Sequence, residues 1–299
     1  MSSFFVGADV GATKTSVLVL DGERVAGKAE GPGAAMRPGR GLMSATTIAD
    51  VVRRALGTAR ALRAEALVVG AAGAGRQLER DELREALRGE ALANRLQVTG
   101  DIDIALAAAF GDGAGIVVTA GTGSVAVARD PGGAIRRSGG YGWQMGDEGS
   151  AYAIGRAALG AVGRAADDRS PATSLSTRLL AAAHCENLDA LIRWASNAAV
   201  SEVAGLAPAV LEEAIRGDPV ATGIAEYASR ELSQLVLHLL PHFPGEAKVP
   251  VAFNGGLLQG GLPLFTMLTR KLEEERRVVL RTEAIDPALG AARLAAKLG

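Results

Sequence analysis

The chain has a single cysteine, Cys185, among 299 residues. One cysteine excludes an internal disulfide, and it excludes a cysteine-ligated metal or iron–sulfur site built within one chain. The chain also lacks an excess of charge of either sign, because its 32 Lys and Arg residues and 33 Asp and Glu residues give a net charge of −1. Without a long basic run, nucleic acid and anionic membranes are not expected as the main partners.

Long apolar runs are missing as well. The longest are too short to span a bilayer, and the N-terminus has no basic segment followed by an apolar one. The sequence therefore predicts no membrane partner and a cytoplasmic location. With 48% hydrophobic residues over 299 positions, two domains are expected.

The most informative stretch lies between Gly115 and Gly155. A β-branched run, Ile116 to Thr119, breaks at Gly121-Thr122-Gly123-Ser124 and resumes at Val125, which predicts a hairpin. A Gly-Thr-Gly turn leaves backbone N–H groups uncovered and adds a hydroxyl, which suits phosphate oxygens. The segment Gly146 to Ser150 then opens a helix and places a carboxylate beside the hairpin. The alternative is a pair of ordinary glycine-rich hairpins.

The same pattern occurs at the start of the chain. Phe4 to Ala8 predicts a strand, Asp9 to Thr15 a Gly/Thr turn, and Val17 to Leu20 a returning strand. Thr13 and Thr122 lie 122 − 13 = 109 positions apart in equivalent turns. This spacing indicates two related halves, each beginning with a phosphate-contacting hairpin.

Two charged residues of the first turn allow two interpretations. Asp9 is either a turn residue or a carboxylate that holds Mg²⁺ beside bound phosphates. Lys14 is either a solvated charge or a phosphate contact. The GxxxxGK[ST] spacing is absent, as is a GxGxxG between a strand and a helix, so neither a Walker A loop nor a dinucleotide fold is predicted.

After the first hairpin, apolar spacing predicts helices near residues 47–64 and 79–93, alternating with strands near 67–69 and 96–99. This alternation favours a largely parallel α/β sheet, and Asp101 follows its last strand, where such sheets place ligands. Asp101 is either a helix N-cap or a general base, and we favour the base. Asp103 is interpreted as the cap or as a solvated side chain. Beyond residue 150 the chain is mostly helical, with one helix expected over residues 202–215.

Together these segments resemble the BadF/BadG/BcrA/BcrD-type ATPase family. The matching motifs, in chain order around the Asp101 segment, are DVGATKT (9–15), AGTGS (120–124), GGYGWQMGDEGSAY (139–152), NGG (254–256) and PALGAA (287–292). The resemblance implies an α/β, two-domain, actin-like (ribonuclease-H-like) sugar kinase fold with an interdomain cleft. Residues 1–114 with 285–299 would form the small lobe, and 115–284 the large one.

The resemblance also implies an activity and the residues that serve it. The expected reaction is transfer of the ATP γ-phosphoryl group to a hydroxyl, expected to be O6, of a hexose or amino sugar such as N-acetylglucosamine, in a homodimer. Asp101 would be the base, Asp9 the Mg²⁺ residue, and Gly140 and Asp147 the sugar contacts. ATP would contact Gly11, Thr13, Lys14, Gly121, Thr122, Gly123 and Ser124 through its phosphates, and Gly255 and Gly256 through its adenosine.

The chain departs from the family pattern at three places. Ala12 stands where glycine is usual, and Tyr141 replaces the first tryptophan of GGWGW. Ala34, or Ala35 with a shift of one residue, aligns with an asparagine that hydrogen-bonds the sugar. We therefore expect no sharp preference for N-acetylglucosamine, and we expect Ala34→Asn to restore some of it.

Three other functions compete with this one. Activator ATPases of the same broad family hold an iron–sulfur cluster with two cysteines per subunit, which Cys185 alone cannot supply. Kinases of the ROK type carry a cysteine-rich zinc motif and an ExGH segment, and both are absent. A non-catalytic sensor of sugar or ATP on the same fold would keep the hairpins and have no need of a base at Asp101.

Overall fold

The computed structural model describes residues 3–299. The strands are β1 Phe4–Val10, β2 Lys14–Asp21, β3 Arg24–Pro32, β4 Ala64–Ala71, β5 Ala93–Gly100, β6 Gly115–Ala120, β7 Ser124–Arg129, β8 Ile135–Gly139, β9 Val249–Asn254 and β10 Val278–Arg281. The helices are α1 Gly41–Thr58, α2 Gln77–Arg88, α3 Asp101–Phe110, α4 Ala151–Ala166, α5 Leu175–Ala182, α6 Leu188–Asn197, α7 Val200–Ala204, α8 Ala207–Ile215, α9 Pro219–Leu239, α10 Pro263–Glu273 and α11 Pro287–Leu298, with a short 3₁₀ helix at Leu240–His242.

The chain divides into two compact units. Unit 1 comprises the residues up to Gly113 together with Ile285–Gly299, and unit 2 comprises Ala114–Ala284. The last helix, α11, therefore belongs to the same unit as the first hairpin. None of the helices within residues 3–299 combines the length and the apolar content needed to cross a bilayer.

Each unit is built on one five-stranded sheet, and the two sheets share a topology. The order is β3-β2-β1-β4-β5 in unit 1 and β8-β7-β6-β9-β10 in unit 2. In both, three antiparallel strands made by consecutive hairpins are followed by two strands parallel to the first. The predicted repeat of two related halves is confirmed. The prediction of a largely parallel sheet is wrong, because the hairpins supply three antiparallel strands to each sheet.

In unit 1, helices cover both faces of the sheet. Val6, Ala8 and Val10 of β1 belong to a buried cluster with α1 and α2, whereas Ala66 and Val68 of β4 pack with α3 and α11. This division follows from the period of two in a strand, which sends successive side chains to opposite faces. The core of unit 2 joins its sheet to the helices of the 150–272 region.

Gly7 sets the distance between β1 and α11. A Cβ atom at this position would lie 2.1 Å from the backbone nitrogen of Ala292 and 2.2 Å from the carbonyl oxygen of Ala288. Both neighbours are backbone atoms of α11, so they cannot rotate away. The helix therefore packs directly onto the backbone of the strand.

Several predicted helix boundaries are wrong. α1 begins at Gly41 and ends at Thr58, and Leu62, which was expected to belong to it, is 99% exposed. The helix expected over residues 202–215 is two helices, because Pro208 lacks an N–H and lies in the first turn of α8. α10 and the four-residue β10 were not predicted.

We expect Gly7→Ala to destabilise the protein by about 1–3 kcal/mol or more, since overpacking against a backbone forces the helix to move. Gly57 in α1 is the control, because a Cβ atom there would have no neighbour within 4 Å. There, Gly57→Ala should be neutral or stabilising by about 0.5–1 kcal/mol. Urea denaturation of both variants measures the difference, and equal stability of the two would contradict this account of the packing.

Candidate active site

Asp9 lies near the end of β1, on the face of the sheet that carries α11. It follows Gly7 by two residues, so both residues share one face of the strand. Asp286 is the N-cap residue directly before α11, and its Oδ1 accepts a hydrogen bond of 3.2 Å from the backbone N–H of Leu289. Because Gly7 lets α11 approach β1, the carboxylate at the start of the helix comes near Asp9.

The electrostatics of Asp9 reflect these neighbours. Burial, followed by the negative charges of Asp101 and Asp286, raises the pKa of Asp9 from 3.8 to about 7, and Lys14 opposes the shift. Unit 1 therefore gathers three carboxylates at one place. The sequence had indicated Asp9 and Asp101, but it had not indicated Asp286, whose signal was an Asp-Pro pair at a helix start.

The carboxylate oxygens around Asp9 are suitable ligands for a hard cation, although they do not form a complete metal site. Among residues 3–299, no group of three or more His, Cys, Asp or Glu side chains is arranged to hold a metal ion by itself. Mg²⁺ is usually held by one or two carboxylates together with substrate phosphates, so an all-protein cage is not needed. The oxygen chemistry and the excess negative charge at Asp9 fit that mode.

The first Gly/Thr turn is tight. The N–H of Gly11 donates to the carbonyl of Lys14 over 2.8 Å, and Ala12 and Thr13 are exposed between them. Lys14, expected to contact phosphate, forms an ion pair with Glu30, with 2.5 Å between Nζ and Oε1. Both side chains are more than half exposed, so the pair is weak enough to exchange for another anion.

Asp101 is the first residue of α3 and follows β5 directly. One of its carboxylate oxygens accepts a hydrogen bond of 3.0 Å from the N–H of Ile102. Asp103 accepts hydrogen bonds from the hydroxyl of Thr99 and, over 3.2 Å, from the N–H of Gly100. Gly100 is therefore the N-cap of α3, and Asp103 is its third residue, whose carboxylate makes the capping-box contact back to Gly100.

Residues 33–37 follow β3 outside regular secondary structure and cross the ends of β1 and β4. The N–H of Ala34 donates to Gly11 over 3.1 Å, and that of Met36 donates to Ala72 over 2.8 Å. Ala34 and Met36 are buried in the core of unit 1, while Ala35 is half-buried. The substitution Ala34→Asn is therefore unsuitable, because it would bury an amide in an apolar cluster, and position 35 faces the other way.

In unit 2, the second Gly/Thr turn is bound to the start of α4. The N–H of Gly121 donates to the carbonyl of Gly123 over 2.9 Å, and the N–H of Ala151 donates to the carbonyl of Gly121 over 2.9 Å. The buried hydroxyl of Ser124 donates to the carbonyl of Glu148 over 2.7 Å. Thr122 is half-buried, and its carbonyl accepts a hydrogen bond of 3.4 Å from the N–H of Tyr152.

Asp147 lies directly against this turn. A Cβ on Gly123 would come within 2.7 Å of its Oδ2, so only glycine allows the present spacing. Asp147 has a φ of +62°, a left-handed conformation that costs energy for a non-glycine residue. Burial raises the pKa of its carboxyl, while the N–H groups of Gly142 and Ser124 and the charge of Arg137 oppose the shift.

The other residues of unit 2 that were predicted to contact sugar or adenosine lie on two loops. Gly140 has a φ of +72°, and its carbonyl accepts a hydrogen bond from Arg137, whose guanidinium also lies over the Tyr141 ring. Gly255 follows β9 with a φ of +92°, and a Cβ there would lie 2.3 Å from the carbonyl oxygen of Ala120. Gly256 has open space around it. Gly255 is thus required by backbone packing, and Gly256 leaves room for a ligand.

Nearly the whole chain is similar to one family of known proteins. A sequence model of the BadF/BadG/BcrA/BcrD ATPase family matches residues 6–295. The chain is 34% identical over 169 residues to an N-acetylmuramic acid/N-acetylglucosamine kinase of Clostridium acetobutylicum, covering 56% of this chain and 55% of that protein. It is 32% identical over 188 residues to an N-acetyl-D-glucosamine kinase of Dictyostelium discoideum, covering 60% and 59%. Both matches span less than two thirds of the curated relatives.

Solved structures extend the similarity to the full length. A candidate N-acetylglucosamine kinase from Chromobacterium violaceum superposes with a TM-score of 0.84 at 27% identity, covering 98% of this chain and 99% of that one. A ROK family glucokinase from Streptomyces griseus, solved with glucose and AMPPNP, has a TM-score of 0.59 at 19% identity and covers 99% and 100%. The second likeness concerns the fold alone. The chain has the α/β fold of actin-like sugar kinases.

The raised pKa of Asp9 predicts a pH-dependent stability. Its pKa is about 7 in the folded protein against an ordinary value of 3.8, so its contribution to stability is complete below about pH 4 and is lost as the pH rises through about 7. Asp9→Asn cannot ionise and should be more stable than the unmodified protein at about pH 8, by about 2–4 kcal/mol. The advantage should shrink toward about pH 5.

Urea denaturation between about pH 5 and pH 8 measures this difference. Asp50→Asn is the control, since Asp50 is an exposed residue of α1 paired with Arg54. A difference between the Asp9 variant and the unmodified protein that stays constant with pH would contradict the assignment.

Proposed function

Because the chain belongs to the BadF/BadG/BcrA/BcrD ATPase family, we propose that it is an ATP-dependent kinase for a hexose or amino sugar. The observation that carries the proposal is Asp101, a carboxylate at the carboxyl end of β5 whose charge acts on the half-buried Asp9. The similarity to N-acetylglucosamine kinases supports the choice of acceptor.

In the proposed reaction Asp101 is the general base. As the acceptor oxygen, expected to be O6, bonds to the γ-phosphorus, the hydroxyl proton passes to the Asp101 carboxylate and the bond to ADP breaks. Phosphoryl transfer needs little covalent work from the protein, so positioning and electrostatics dominate. A base of this kind contributes about 10²- to 10⁴-fold.

Asp9 is proposed to hold Mg²⁺ together with the phosphates of ATP. The cation, when bound, would neutralise charge on the phosphates and on the three carboxylates of unit 1. Gly11, Thr13 and Lys14 are proposed as phosphate contacts, with Lys14 leaving its ion pair with Glu30. That exchange is favourable because a polyphosphate carries more charge than a single carboxylate.

The residues of unit 2 are proposed to bind both substrates. Gly121, Thr122, Gly123 and Ser124 would contact ATP phosphates, and Gly255 and Gly256 would line the adenosine site. Gly140 and Asp147 would hold sugar hydroxyls. The strained φ of Asp147 supports this role, because strain of this kind is kept where a side chain must be aimed. A homodimeric assembly is part of the proposal.

The first test removes the proposed base. Asp101→Asn should lower kcat by about two to four orders of magnitude and leave ATP binding nearly intact. The control is Asp103→Asn, which loses the cap contacts to Thr99 and Gly100 and should cost about 1 kcal/mol of stability with little loss of rate.

For both variants, assays of ADP release give kcat and titration with ATP gives the affinity for ATP. Near-normal turnover by Asp101→Asn would remove Asp101 as the base. If ATP and sugar bound but the unmodified protein gave no turnover, the non-catalytic sensor would be favoured instead.

The second test concerns acceptor choice. Ala35 is half-buried, in contrast to the buried Ala34 and Met36, so the amide of Ala35→Asn would keep contact with solvent. One hydrogen bond is worth about 0.5–1.5 kcal/mol, so kcat/KM for N-acetylglucosamine should rise by roughly a few-fold to tenfold. Ala34→Asn should instead lower stability. If the unmodified protein already prefers N-acetylglucosamine over glucose by several orders of magnitude, another residue makes this contact.

A further inference from the structure

Arg137 lies in the middle of β8 and contacts residues at the end of this strand and beyond it. Its Nε donates a hydrogen bond of 2.9 Å to the carbonyl oxygen of Gly139, and its Nη2 donates one to the carbonyl oxygen of Gly140. Its guanidinium carbon lies 5.9 Å from the centre of the Tyr141 ring, within the range of a cation–π contact. One side chain thus contacts three consecutive residues at the start of the segment 139–147, which we call the glycine loop.

The glycine loop has little regular structure of its own. Residues 140–150 contain no helix or strand, and within the loop the N–H of Gly146 donates to the carbonyl of Gly142 over 2.9 Å. The φ angles are +72° at both Gly139 and Gly140 and +90° at Gly142. A glycine backbone loses more conformational freedom on ordering than that of any other residue. The conformation of the loop therefore depends on contacts from outside it, and Arg137 supplies two of them.

Asp147 ends the same loop, and Arg137 acts on it as well. Burial raises the pKa of the Asp147 carboxyl, and the N–H groups of Gly142 and Ser124 oppose the rise. Of the two charged side chains that act on this carboxyl, Glu148 raises its pKa and Arg137 lowers it. Arg137 is therefore connected to Asp147 in two ways, through the backbone of the loop and through its charge.

Building on the proposed kinase function, we propose that Arg137 is a positioning residue, which fixes the glycine loop so that Gly140 and Asp147 are presented to the hydroxyls of the acceptor sugar. In this role the guanidinium does not touch the sugar and acts through the loop. Its positive charge adds a second contribution, because an ionised carboxylate accepts hydrogen bonds from hydroxyls with both of its oxygens.

The contacts of Arg137 require a guanidinium. Its planar fork offers donors to two carbonyl oxygens at once, while its face can lie over an aromatic ring. A lysine at this position would keep the positive charge but would offer one compact ammonium group. Arg137→Lys therefore separates the charge of the side chain from its ability to hold the loop.

Arg136 provides the matched control. It precedes Arg137 on β8, so its side chain points to the opposite face of the sheet, and it is exposed as well. Its Nε lies 3.6 Å from Oδ2 of Asp130, in the turn that connects β7 and β8. Arg136→Gln therefore removes the same charge from the same strand and leaves the contacts of the glycine loop in place.

The first measurement does not depend on activity. Hydrogen–deuterium exchange at the amides of residues 139–147 should be faster in Arg137→Gln than in the unmodified protein, because two carbonyl contacts are lost. Arg137→Lys should also exchange faster, since it lacks the fork. Arg136→Gln should leave exchange at these amides unchanged.

The second measurement is the KM for the sugar. If the binding-competent conformation of the loop falls to about one tenth of the population, the apparent affinity for the sugar falls by about tenfold. Arg137→Gln should therefore raise the KM for N-acetylglucosamine and for glucose by about tenfold, with kcat and the KM for ATP nearly unchanged. A merely structural role of Arg137 would change all of these values together.

The third measurement is the pH dependence of sugar binding. Calorimetric titration with N-acetylglucosamine in the absence of ATP measures this binding alone. Binding to an ionised Asp147 is lost as the pH falls through the pKa of its carboxyl, and removal of a neighbouring positive charge raises that pKa. The loss should therefore occur at higher pH in Arg137→Gln than in the unmodified protein. In Arg137→Lys it should occur close to the original pH.

The outcomes distinguish the role of Arg137 from the kinase function. Unchanged exchange, an unchanged sugar KM or an unmoved pH dependence in Arg137→Gln, or equal effects of Arg136→Gln, would overturn this role and leave the kinase function standing. If no sugar supported ADP release, the kinase function would fail, and exchange and calorimetry would decide. Faster exchange with weaker sugar binding in Arg137→Gln would then support the positioning role, and its absence, or no sugar binding at all, would overturn it.

Discussion

The packing of α11 directly on β1 is the contact on which the unit 1 site depends. Gly7 has no side chain, so the backbone of the helix rests against the strand at Ala288 and Ala292. This contact brings Asp286 of α11 near Asp9 and adds to the negative charge around it. A site built from like charges is unfavourable in the empty protein, and the proposed Mg²⁺ would relieve the repulsion among these carboxylates.

The two units share one topology, but their Gly/Thr turns have different surroundings. In each, a hairpin with a Gly/Thr turn precedes strands parallel to its first strand. In unit 1 the turn adjoins the half-buried Asp9, whereas in unit 2 it is bound to the start of α4 and lies against Asp147. A Cβ at position 255 would meet the backbone of Ala120 and one at position 123 would meet the Asp147 side chain, whereas Gly256 has open space around it. Glycine thus allows close packing of the backbone at position 255 and leaves open space at position 256.

Residues 33–37 are held in place by their backbone and not by their side chains. Backbone hydrogen bonds to Gly11 and Ala72 hold residues 34–36 in place whatever their side chains are. The outward positions, 35 and 37, are therefore free to vary without affecting the core. In this chain position 35 carries a methyl group and position 37 an exposed guanidinium.

The sequence by itself determined the hairpins, the repeat of two halves and the order of the motifs. These depend on turn residues and on alternation over a few positions, which act locally. Only the tertiary structure decided that Asp286 lies near Asp9, that Lys14 pairs with Glu30, that Ala34 faces the core and Ala35 does not, and that the sheets are mixed. Those features join segments distant along the chain, and their approach depends on how a whole unit packs, which local patterns do not encode.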